Sequence, residues 1–124
     1  MAQYHHLPLY RTTYNLLLEL MHVTKDFSRE FKFSLGEKIQ GAAVDMLIGI
    51  YKANNARDKT DFIKNILELV QIVGVYVRIS HDLKLISEAK YLHFTQELAS
   101  VSKQAHGWLQ SCVNGAEPDC AMAR

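Results

Sequence analysis

The stretch Val70-Gln71-Ile72-Val73-Gly74-Val75-Tyr76-Val77 decides the fold class, because its β-branched residues give it the composition of a strand. Its surroundings decide against that. Apolar residues recur at Phe62, Ile66, Leu69, Val73 and Tyr76, three or four apart, over a span far too long for one strand. The stretch therefore lies inside a helix predicted over residues 59–81.

Helical spacing continues in both directions. Towards the C-terminus, Tyr91, Phe94, Leu98, Val101, Ala105, Trp108 and Cys112 form one stripe, with Lys90, Gln96, Glu97, Ser100, Lys103 and Gln104 opposite. Ser87 caps this helix and Asn114-Gly115 ends it. Towards the N-terminus, Ser34-Leu35-Gly36-Glu37 reads as a capping box opening another helix. Its stripe is Leu35, Ile39, Ala42, Met46, Ile50 and Ala53, and Asn54-Asn55-Ala56-Arg57-Asp58 closes it. Asp58 or Thr60 is the cap of the helix that follows. A first helix is predicted from residue 9 or 10 to residue 31, facing inward with Tyr14, Leu17, Leu18, Met21, the Lys25 stem and Ser28. The two prolines, Pro8 and Pro118, lie outside this whole region. Four helices joined by short turns give an all-α, up-down-up-down antiparallel four-helix bundle. It occupies residues 10–112, between an N-terminal extension (1–9) and a flexible tail (113–124).

With 124 residues, 48% hydrophobic and 22% charged, the chain is one domain able to bury a core without metal or disulfides. Cys112 and Cys120 show no metal spacing and are expected to be reduced thiols. The N-terminus lacks a basic segment followed by an apolar run, and Lys64, Glu68, Gln71 and Arg78 interrupt the most apolar window. No signal peptide or membrane span is expected, and the cytoplasm is the default location. Net charge is +1, so any nucleic-acid role requires basic residues gathered locally or repeated by symmetry.

Helices two and three carry more apolar surface than one bundle can use. Val44, Leu47, Ile48 and Tyr51 form an extra face on one, and Ile72, Val75 and Ile79 an extra face on the other. These seven residues are the expected interface of a homo-oligomer. Gly41, Gly49 and Gly74 cost about 1 kcal/mol each relative to alanine inside helices, which close backbone approach would explain.

Catalytic chemistry finds little support. No two of the six histidines lie three or four residues apart, and Glu19, Glu68 and Glu97 are scattered over polar faces. Glycines form no phosphate-binding loop. Ser80-His81-Asp82 has the residue types of a triad, but such a site needs distant residues converging. The reading is non-enzymatic, with no cofactor. Basic residues are gathered by the topology: Lys25, Arg29, Lys32, Lys38, Arg78, His81, Lys84 and Lys90 at one end, Lys52, Arg57, Lys59 and Lys64 at the other.

One further pattern emerges from several ordered pieces. They are Tyr14 to Leu18, Phe27-Ser28-Arg29-Glu30-Phe31-Lys32-Phe33-Ser34-Leu35-Gly36-Glu37-Lys38, Tyr51-Lys52-Ala53-Asn54-Asn55-Ala56-Arg57-Asp58-Lys59, Asp82-Leu83-Lys84-Leu85-Ile86-Ser87, and Ser102-Lys103-Gln104 before Gly107-Trp108. In this order they resemble the four-helix-bundle proteins related to ribosomal-RNA intervening-sequence proteins, and within them the accessory (Avd-type) proteins of diversity-generating retroelements. The resemblance implies a ring-like pentamer that binds a reverse transcriptase and template RNA or cDNA to support mutagenic reverse transcription. Carried over, it makes Arg29, Lys32, Lys38, Arg57, Lys59, Arg78 and Lys84 candidates for nucleic-acid or polymerase contact. The alternative is an intervening-sequence-type interaction protein with no nucleic-acid role.

Overall fold

Pro8 opens the first helix, where its fixed φ suits the first helical position and its missing N–H costs nothing. The computed structural model describes residues 7–114. Among them, α1 (Pro8–Thr24), α3 (Leu35–Asn55), α4 (Thr60–Asp82) and α5 (Glu88–Asn114) are long, and α2 (Arg29–Lys32) is a single turn. No strand occurs among the described residues.

The first helix differs from expectation in phase and in length. Leu9, Thr13, Leu16, Leu17, Leu20 and Thr24 face the core, while Tyr14 and Leu18 are 42% and 43% exposed. Two threonines on the inner face disguise it as polar. The Thr24 hydroxyl is satisfied there, donating to the Leu20 carbonyl at 2.7 Å and accepting from Gln40 Nε2 at 2.8 Å. The helix stops at Thr24 because the next amides bond backwards in tight turns, Asp26 to Val23 and Phe27 to Thr24. That bend turns Phe27 into the core at 5% exposure, a burial that contributes roughly 2–3 kcal/mol. Ser28 is extended, and its carbonyl starts α2 by accepting from Phe31 and Lys32.

The expected capping box does not form. Ser34 Oγ instead donates to the Glu30 and Phe31 carbonyls at 3.3 and 3.4 Å, because α2 leaves those acceptors within its reach. The expected stripe of α3 is buried from Leu35 to Ala53. Across from it, α4 buries Ile63, Ile66, Val70, Val73, Val77 and Ser80, whereas Phe62 is 38% exposed and Leu69 and Tyr76 only half-buried. The strand-like stretch is thus helical, with its inner face rotated from the one its apolar spacing picks out. In α5, Phe94, Leu98, Val101 and Ala105 are buried, and the Ser87 hydroxyl accepts from the Lys90 amide at 3.1 Å. Cys112 is disulfide-bonded rather than reduced, and the tail from residue 115, including the other cysteine, lies outside the described residues.

Each long helix packs on two others, α1 on α3 and α5, and α4 on α3 and α5. Thr12 meets Gln104 and Glu19 meets His93 across α1 and α5, so those helices run antiparallel. The result is a closed square of helices around one core. Gly49 lies close against α4, since an added Cβ would lie 3.1 Å from Ile66 Cγ1. An added Cβ at Gly41 or Gly74 meets nothing within 4 Å, so packing within the chain does not require those two glycines. No helix among the described residues is long and apolar enough to cross a membrane.

Candidate functional site

One end of the bundle is built from the α1–α3 connection, the start of α3, the end of α4 and the start of α5. It carries Arg29 and Lys32 on α2, Lys38 in the first turns of α3, Arg78 near the end of α4, and Lys84 just beyond it. All five are exposed. Lys84 has φ +63°, a left-handed conformation uncommon for a residue with a side chain. It holds this φ because α4 ends in a paired turn, with the Lys84 amide donating to His81 O at 2.9 Å and the Leu85 amide to Ser80 O at 2.8 Å. The ammonium of Lys32 lies 5.8 Å from the centre of the Phe33 ring, which is itself 64% exposed.

Of the acidic groups at this end, Asp82 and Glu88 have partners, whereas Asp26, Glu30 and Glu37 are exposed with no ion-pair partner among the described residues. Arg78 Nε donates to Asp82 Oδ2 at 3.3 Å, and His81 Nε2 lies 2.7 Å from Glu88 Oε1. The His81 ring stacks on Tyr91 with centroids 4.2 Å apart, which fixes the imidazole between the two acids. Arg29, Lys32, Lys38 and Lys84 have no carboxylate partner among the described residues. Lys25 and Lys90, also at this end, are likewise exposed without a carboxylate partner among the described residues. The triad residue types do not converge, because the Ser80 hydroxyl donates to the Tyr76 carbonyl at 2.9 Å and not to the His81 ring.

Arg57 and Lys59 lie at the opposite end, in the turn between α3 and α4. Arg57 is exposed. Lys59 is not a surface contact at all: it is 3% exposed, and its Nζ donates to the carbonyls of Ala53, Asn54 and Ala56 at 3.0, 3.0 and 2.9 Å. It satisfies carbonyls left over at the end of α3 and opposes the negative end of that helix. A lysine shortly after Asn54-Asn55 is the sequence signal for such a role. Beside it, the Asp58 carboxylate accepts from the Thr60 amide at 3.1 Å, and this bond, with help from Lys64, holds its pKa below the usual value.

The seven residues expected at an oligomer interface divide between two sides. Val44 and Leu47 are half-buried on the core, while Ile48 and Tyr51 are 44% and 48% exposed beside Tyr10, in a groove between α1 and α3. Ile72, Val75 and Ile79 are 36%, 57% and 39% exposed on α4. Val75 and Ile79 line a second groove with Gly74, Tyr91, Thr95 and Ala99, between α4 and α5. In the square of helices these grooves occupy opposite edges. A separate cluster that no sequence spacing had singled out joins Glu19 of α1 to His93 and Glu97 of α5. No family model, curated protein or solved structure matches the chain.

Proposed function

We propose that this protein is a non-enzymatic accessory protein of a diversity-generating retroelement, acting in the cytoplasm. In this reading it scaffolds mutagenic reverse transcription by binding the reverse transcriptase and template RNA or cDNA. The observation that carries it is the end of the bundle where Arg29, Lys32, Lys38 and Lys84 stand exposed without carboxylate partners. Phosphate oxygens are the natural counter-charges for such a group. One copy offers a modest patch, and a ring multiplies it. Apolar grooves on opposite edges favour a head-to-tail ring such as a pentamer, since a two-fold dimer uses the same patch twice.

Fluorescence anisotropy with labelled RNA and single-stranded DNA, titrated with salt, tests the proposal. Affinity falls steeply as salt rises, and joint replacement of Arg29, Lys32 and Lys84 by glutamate removes it with helicity and mass intact. Replacing the same three residues by alanine instead lowers the single-strand salt slope by about 2. Unchanged binding in the triple variant refutes the patch assignment. Light scattering tests the ring, which a monomeric mass refutes. The near-neutral charge of +1 favours a second reading, a bundle that binds protein partners and no nucleic acid. An assembled ring without measurable affinity for either nucleic acid selects it.

A further inference from the structure

Glu19 projects from α1 towards His93 and Glu97, which lie one turn apart on the same face of α5. One ligand atom from each of the three residues can be chosen so that all lie within 4.8 Å of one another. His93 Nε2 is already 2.8 Å from Glu19 Oε2, and the His93 ring is held against Phe94 with centroids 5.7 Å apart. Neither glutamate pairs with a lysine or arginine among the described residues. Two carboxylates without a cationic partner thus converge on one imidazole, at the boundary between the first and the last long helix.

We propose that Glu19, His93 and Glu97 form a binding site for a divalent transition-metal ion of the zinc type, clamping α1 to α5. Zinc takes imidazole nitrogen and carboxylate oxygen at about 2.0–2.2 Å, which sets tetrahedral ligand atoms about 3.3 Å apart. Closing from the present spacing needs only rotation of two long, part-exposed glutamate side chains. One nitrogen and two anionic oxygens match the charge of the ion. The side chains of His93 and Glu19 are 43% and 39% exposed, so the remaining coordination position is open to water. Imidazole disfavours Mg2+ and Ca2+, which prefer all-oxygen shells. The metal takes the place of any proton on Nε2, so binding releases protons and weakens on acidification. The α1–α5 contact is the least extensive of the four pairs of long helices, which makes it the one a cross-helix clamp strengthens most.

The test uses the full chain, stripped with chelator, then followed by calorimetric titration and thermal unfolding with Zn2+ and, separately, Mg2+. Zinc binds with one strong site per chain and raises the melting temperature, an excess of chelator reverses the rise, and Mg2+ at the same concentration has no effect. Glu19→Gln and Glu97→Gln keep the side-chain shapes and each weaken zinc binding by about tenfold or more. His5 and His6 remain in both variants, so equal zinc affinity in wild type and variants overturns the assignment. So does the absence of any zinc-dependent stabilisation in the wild type. His22, three residues after Glu19 on α1, lies outside the cluster. His22→Ala therefore leaves the affinity unchanged, and a loss there without a loss in His93→Gln also overturns it.

Discussion

Replacing Lys59 by methionine keeps the length and most of the volume of the side chain and removes only its charge and donors. Three carbonyls then lose a charge-assisted hydrogen bond, those of Ala53, Asn54 and Ala56. An unsatisfied buried acceptor costs about 1–3 kcal/mol. The three sites are unequal, however. The Ala53 carbonyl keeps the Ala56 amide at 3.2 Å, while the bonds to Asn54 and Ala56 are only part-buried, so water recovers some of their loss. The variant also escapes the cost of holding an ammonium at 3% exposure. The net effect is a destabilisation of about 2–4 kcal/mol. In a chain of this size each kcal/mol moves the midpoint by about 4 °C, so the melting temperature falls by roughly 8–16 °C. Thermal and urea unfolding followed by circular dichroism measure it. A loss below about 0.5 kcal/mol refutes the capping role, because surface substitutions typically stay within that range. Binding supplies an independent check: folded Lys59→Met retains whatever nucleic-acid affinity the wild type has, since its ammonium is not at the surface.

Four further outcomes follow from the geometry. Thr13 Oγ1 is buried with no hydrogen-bond partner among the described residues, so Thr13→Val stabilises by about 1–2 kcal/mol in chemical denaturation. Lys84→Gly relieves the left-handed φ of 63° and stabilises by about 1 kcal/mol, while lowering RNA affinity at the cationic end, so the two readouts move in opposite directions. Gly74→Ala meets no atom within 4 Å and raises the stability of an isolated chain by up to about 1 kcal/mol, yet lowers the assembled mass in light scattering if a second copy seats against this groove. The Asp58 pKa lies below its ordinary value of 3.8, chiefly because of its bonds to Thr60, so its stabilisation is complete above that pH and lost as pH falls through the lowered value. Asp58→Asn therefore reduces stability at neutral pH, and its difference from wild type shrinks in acid melts.

Three-four spacing marks the chain as helical and roughly places each long helix, because it is a local property that every turn repeats. The α5 stripe from Phe94 to Ala105 and the α3 stripe from Leu35 to Ala53 are legible for that reason. Which face of a helix turns inward depends instead on what neighbouring helices offer. Leu16 and Thr13 displace Tyr14 and Leu18 from the α1 core, and Ile63 displaces Phe62 in α4. The break after Thr24 was equally hidden, since only a core with room for Phe27 repays the lost helical hydrogen bonds. The Asn54-Asn55 helix end flags both Arg57 and Lys59 as possible caps, and only the packing of the turn separates buried Lys59 from exposed Arg57. Glu19 and His93, 74 positions apart, come together only because α1 and α5 close the square. Local periodicity is written into the chain, whereas the partner of a charge is chosen by long-range packing.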